Sequence, residues 1–114
     1  MKKNKKLIIG IIAAFLPVFL YAQGVTSGSI SGKVTSEKNE ILIGAVVAAV
    51  HTPSGSKYIT ATQKDGSFNL QGVRIGGPYN IVITHIGYES DTIKNAQVVL
   101  GEDLFLQTIL RYAT

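Results

Sequence analysis

A chain of 114 residues has room for one domain and excludes a multidomain enzyme. It contains no cysteine, which excludes disulfides, thiolate metal sites and a lipid-modified cysteine at a cleavage site. The formal net charge of +4 is misleading, because Lys2, Lys3, Lys5 and Lys6 supply all of it and the remainder of the chain is neutral. A neutral remainder without basic stretches interleaved with aromatics gives no support for a nucleic-acid partner.

The four lysines open the first predicted element. After them, Leu7 to Leu20 carries no polar side chain, and Tyr21-Ala22 precede the polar Gln23. Basic, apolar and small, in that order, is the pattern of a secretory leader, with cleavage expected after Ala22. A membrane-spanning helix needs about 20 apolar residues. This run is shorter and holds Pro17, which disfavours a long continuous helix. The expected organisation is a signal peptide over 1–22, a flexible lead-in over 23–28 and one domain over 29–112. The leader pattern predicts export of the domain.

From Ile30 onward, short apolar runs alternate with turn residues, which predicts an all-β domain. Ile30, Gly32 and Val34 share one face of the first strand. Ile41 to Thr52 is apolar without clean alternation and predicts a central strand covered on both faces. Thr52 to Ser56 is a turn cluster, and Lys57 to Gln63 is rich in β-forming residues. Asp65-Gly66 then predicts a tight hairpin, since both tolerate positive φ. Phe68 and Leu70 follow on one inward face. Gly72 to Pro78 predicts a connection containing Gly76, Gly77 and Pro78. Tyr79, Ile81, Ile83 and His85 alternate along the next strand, which Gly87 ends. Asp91 to Ala96 is less regular, and Gln97 to Leu100 and Leu104 to Arg111 are the last two predicted strands. Seven strands with turn signals every 8 to 12 residues predict a β-sandwich.

No catalytic residues are expected. Serines are plentiful, but no Gly-x-Ser-x-Gly elbow accompanies them. The two histidines, His51 and His85, lack the clustering that a metal site needs, and each reads as a packing residue at a strand end. His85 and Glu89 straddle a turn and make a weak ligand pair. Gly76-Gly77-Pro78 lacks the lysine and the helix of a phosphate loop, and Asp65-Gly66 lacks a calcium ligand ladder. No cofactor or metal is therefore expected. Tyr58, Tyr79 and Tyr88 are the aromatics suited to stacking on a sugar. Tyr79 lies in the alternation of the core, which leaves Tyr58 and Tyr88 as possible ligand contacts.

Four blocks stand in order: Gly28 to Val34 (GSISGKV), Leu42 to Val47 (LIGAVV), Thr62 to Leu70 (TQKDGSFNL) and Gly76 to Tyr88 (GGPYNIVITHIGY). Together they resemble the carboxypeptidase regulatory-like domain, a transthyretin-like β-sandwich, over roughly Gly28 to Arg111. The resemblance implies a non-catalytic role, with Gly32 and Gly44 allowing close backbone approach within strands. Ala49 to Gly55 (AVHTPSG) and Val73 to Tyr79 (VRIGGPY) carry a narrower resemblance, to the N-terminal extension of TonB-dependent outer-membrane receptors. In those receptors the domain stands in the periplasm ahead of a plug and a barrel. The implied partners are envelope proteins of an uptake system, and the implied role is an accessory or interaction module. Related sandwiches bind sugars, so a carbohydrate-binding module taking a glycan is the alternative. This chain departs from the family at Asn39-Glu40-Ile41, where Gly and Pro are usual. It shows no counterpart of the plug or barrel.

Overall fold

The computed structural model describes residues 26–113. The expected leader, 1–22, and residues 23–25 of the lead-in lie outside the described residues. Seven strands follow one another: β1 (Ser27–Ser36), β2 (Val46–His51), β3 (Ser56–Ala61), β4 (Ser67–Arg74), β5 (Gly76–Thr84), β6 (Asp91–Val98) and β7 (Asp103–Leu110). β1 thus begins two residues before the expected domain boundary, because Ser27 and Gly28 pair with Arg74 and Val73.

The strands form two sheets, ordered β4-β1-β7 and β3-β2-β5-β6. β1 runs parallel to β7, and the remaining pairings are antiparallel. Both sheets turn an apolar face inward. Ile30, Val34, Phe68, Leu70, Val73 and Leu110 come from the first sheet, and Val47, Ala49, Tyr79, Ile81, Ile83 and Val98 from the second. The alternation of Phe68 with Leu70, and of Tyr79, Ile81 and Ile83, is the period-2 pattern of strands that face a core on one side. Gly32 faces inward as well. A Cβ there would lie 2.1 Å from the Leu106 carbonyl oxygen and 2.7 Å from the Phe68 ring, so only glycine fits between β1 and its neighbours.

Four expectations are corrected. The apolar run from Ile41 is not one strand covered on both faces. Ile41 makes an isolated bridge to Thr35, and Ile43 and Gly44 form a turn, with Gly44 at φ 78° and open space around it, while Leu42 and Ala45 are buried in the core. Gly44 therefore serves a left-handed turn and not a close approach. β2 buries Val47, Ala49 and His51 but leaves Val46 exposed on its outer face. Asp65-Gly66 does make a tight local turn. The Gly66 amide donates to the Gln63 carbonyl at 2.9 Å and the Gln63 amide to that of Ser67 at 2.8 Å. Only Gly66 has positive φ, as in a three-residue loop, and the chain crosses there from one sheet to the other instead of closing a hairpin. Gly76, Gly77 and Pro78 are the first residues of β5, and only Ile75 separates β4 from β5. Finally, Asp91 to Val98 is a single strand. Asn95 at φ 61° bulges it, so the register moves from Tyr79↔Ala96 to Ile81↔Ile93 and the alternation is lost. Val99 and Leu100 lie in the turn that follows.

The departure at Asn39-Glu40-Ile41 has a local solution. Asn39 itself takes positive φ, and the buried Ser36 hydroxyl accepts the amides of Lys38 and Glu40, both at 3.2 Å. Asparagine is among the few residues other than glycine that tolerate this left-handed conformation.

Candidate interaction surfaces

The two ends of the sandwich gather different side chains. At one end, the hairpin between β2 and β3 meets the start of β5. The Thr52 amide and hydroxyl both donate to the Pro78 carbonyl, at 3.1 and 3.0 Å. His51 lies opposite Tyr79 in the β2–β5 register, with their rings edge to face at 5.1 Å. Its Nδ1 lies 2.7 Å from the Ser54 hydroxyl, which also donates to Ser56 at 3.0 Å. The last residue of β4 is held from both sides: the Arg74 amide donates to the Tyr58 hydroxyl at 3.2 Å, and its carbonyl accepts from the Tyr79 hydroxyl at 2.5 Å. Burial, then the neighbouring Tyr58, pushes the Tyr79 hydroxyl up to about 12, so it stays protonated as a donor. Two tyrosines of one sheet thus tie down the edge strand of the other.

The opposite end carries a stack. Tyr88 lies on Tyr112, with centroids 5.1 Å apart and planes 28° from parallel, and His85 meets Tyr88 edge to face at 5.3 Å. The Tyr112 hydroxyl donates to Glu40 at 2.5 Å, a bond that pushes its pKa up, and Lys38 sits 5.6 Å from the ring centroid. The ring nitrogens of His85 lie 3.0 and 2.9 Å from the carbonyl oxygens of Ile86 and Ile43. A polar cleft lies beside this end, lined by Glu89, Asp91 and Arg111 among others.

The candidate residues are therefore distributed. Tyr58 and Tyr88 stand at opposite ends, each half-buried and packed on the core, and do not converge on one ligand. His51 and His85 both pack at strand ends, as the sequence implies, though His51 is also hydrogen-bonded to Ser54. Gly66, Gly76 and Gly87 all take positive φ. Asp65 accepts the Ser67 hydroxyl and amide, which lowers its pKa. Among the described residues, no three of His, Cys, Asp or Glu come together as a metal site would require. Tyr112 was not singled out by the sequence. A lone aromatic after the last strand carries no pattern, and only its pairing with Tyr88 reveals its place.

Two sheets of three and four strands closed by these ends define a seven-stranded β-sandwich of the all-β class. Residues 29–111 match the model of the carboxypeptidase regulatory-like domain, and the chain belongs to that family. No curated protein matches the chain. Among solved structures, the fold is similar to a chain in a type II cohesin–X-dockerin complex from Acetivibrio cellulolyticus, at 21% identity and TM-score 0.58, covering 73% of this chain and 56% of that one. The Bacillus anthracis TIE protein is similar at 24% identity and TM-score 0.60, with 77% and 17% covered. Hydroxyquinol 1,2-dioxygenase from Pseudomonas putida is similar at 8% identity and TM-score 0.60, with 79% and 58% covered. The chain spans less than two thirds of each of these neighbours, and at such identities the likeness is one of fold.

Proposed function

We propose that this domain is a non-catalytic interaction module of the bacterial cell envelope. In this reading it is the N-terminal domain of a TonB-dependent outer-membrane receptor, or a piece of one, working in the periplasm after removal of residues 1–22. One observation carries the reading. The two segments with the narrower resemblance to receptor extensions, Ala49 to Gly55 and Val73 to Tyr79, are separate in sequence but form one end of the sandwich, joined at Thr52 and Pro78. A loop end made rigid in this way can present a fixed surface to a partner protein at little ordering cost. The leader pattern and the family match over 29–111 support the same reading.

The test is site-specific photo-crosslinking from Ser54 in an exporting Gram-negative host, with the partner identified by peptide mass. An adduct with a TonB-system or barrel protein, weakened by Thr52→Pro, which removes both the amide and the hydroxyl that donate to the Pro78 carbonyl, is the expected result. A domain that yields no such adduct but binds a defined glycan through Tyr58 or Tyr88 replaces this reading with carbohydrate binding. A reading frame that continues beyond Thr114 into a plug and barrel would add direct genetic support.

A further inference from the structure

β7 is an open edge of the three-stranded sheet, and it lacks the usual protection. Natural edges are blunted by lysine, proline or a bulge. β6, an edge of the other sheet, has both Lys94 and the bulge at Asn95. β7 (DLFLQTIL) contains neither lysine nor proline and pairs with β1 from Ser29↔Asp103 to Ser36↔Leu110 without a shift.

The backbone direction follows from one bond. The Leu110 carbonyl accepts from the Glu37 amide at 3.2 Å, on the β1 side. Since backbone polar groups alternate sides along a strand, those of Phe105, Gln107 and Ile109 point to the open edge. Their side chains stand on the outer face, with Phe105 62% and Ile109 56% exposed.

Around Gln107 the sequence is complementary to itself. Phe105 and Ile109 flank it at equal distance, then Leu104 and Leu110, then Asp103 and Arg111. We propose that β7 is a self-pairing edge: two copies of the chain join antiparallel about a two-fold axis at Gln107, setting Phe105 against Ile109 and Asp103 against Arg111 of the second copy. Every element of this contact occurs twice, as a two-fold interface requires. An aromatic facing a β-branched residue and opposite charges facing each other are favourable cross-strand pairs. The Asp103 carboxylate already lies on this face, held by the hydroxyls of Ser29 and Ser31. The Glu89 amide donates to the Arg111 carbonyl at 2.8 Å and closes the edge beyond Ile109. Backbone pairing is therefore confined to Phe105 through Ile109, and Arg111 reaches Asp103 of the second copy by its side chain alone. A contact this small gives an equilibrium between monomer and dimer that depends on concentration.

Sedimentation equilibrium on the protein as recovered from an exporting host tests this over a wide concentration range. A concentration-dependent dimer is expected, weakened about tenfold or more by Arg111→Asp, which places like charges opposite each other. Gln107→Pro removes an outward amide without touching a bond to β1 and should abolish the dimer. Gln107→Cys places two thiols at the axis with Cα atoms about 5.5 Å apart, within disulfide range, and should cross-link under mild oxidation. Asn69→Cys on the opposite edge strand should not. If Gln107→Pro fails to fold, the Arg111 and cysteine variants still decide. A monomer at every concentration overturns the proposal. So does a dimer that Arg111→Asp leaves unchanged, or one that Gln107→Cys cannot link.

Discussion

Thr52 binds the Pro78 carbonyl twice, through its amide at 3.1 Å and its hydroxyl at 3.0 Å, and so locks the β2–β3 hairpin onto the start of β5. Thr52→Val keeps the shape and the amide bond but removes the hydroxyl. The expected cost is about 1 kcal/mol or less, because the site is exposed. The local effect should be larger than the global one. Amide hydrogen exchange at Thr52 should quicken while that of Ile81 stays as it was.

Phe68 is, after Tyr79, the largest of the buried core side chains, and its ring fills the space left by Gly32. Phe68→Ala is expected to cost about 3–5 kcal/mol, a large part of a small domain's stability. The midpoint of denaturant unfolding measures it, and an unchanged midpoint would mean that this side chain is not buried.

Gly32→Ala approaches the same contact from the other side. Its new Cβ meets a backbone oxygen of β7, which cannot swing away as a flexible side chain would. The expected loss is about 1–3 kcal/mol or more. Gly55→Ala is the control: there a Cβ would have open space, and the cost comes only from φ at 77°. Equal losses for the two substitutions would contradict the close packing of β1 against β7.

Tyr79 gives the domain an alkaline limit. Its hydroxyl ordinarily titrates near 10.0 and in the fold near 12. Between those values the unfolded chain releases a proton that the folded chain retains. Stability from this group is therefore complete below pH 10 and is lost as pH rises through 12. Tyr112 shifts in the same direction. Tyr79→Phe should accordingly reduce the alkaline slope of unfolding free energy and leave a residue due to Tyr112. Unfolding curves from pH 8 to about 12 would show this.

Much of this fold can be read in the sequence because one face of each sheet is apolar. Phe68 with Leu70, and Tyr79 with Ile81 and Ile83, announce their strands and their inward faces by alternation alone. What escapes is information that alternation does not carry. Ile41 to Ala45 is as apolar as the strand after it, and only the conformation of Gly44 separates the two. The extra residue at Asn95 removes the periodicity that would have revealed β6. Asp65-Gly66 encodes a tight turn but not the change of sheet, which depends on how distant strands pair. The candidate surface was partly legible. The turn at Thr52 to Ser56 can be found from its turn residues, whereas Gly72 to Pro78 has the composition of a loop and is instead the end of β4 and the start of β5; the union of the two rests on a contact across 26 positions.

The proposed role requires the end of the sandwich around Thr52 and Pro78 to contact a partner protein of the envelope. Photo-crosslinking from Ser54 in the periplasm tests it most directly, with the same probe at Asn69, on the outer face of β4, for comparison. The expected result is an adduct with a TonB-system or barrel protein from Ser54, and none from Asn69. Equal labelling from both positions, or no envelope protein captured from Ser54, would contradict that role.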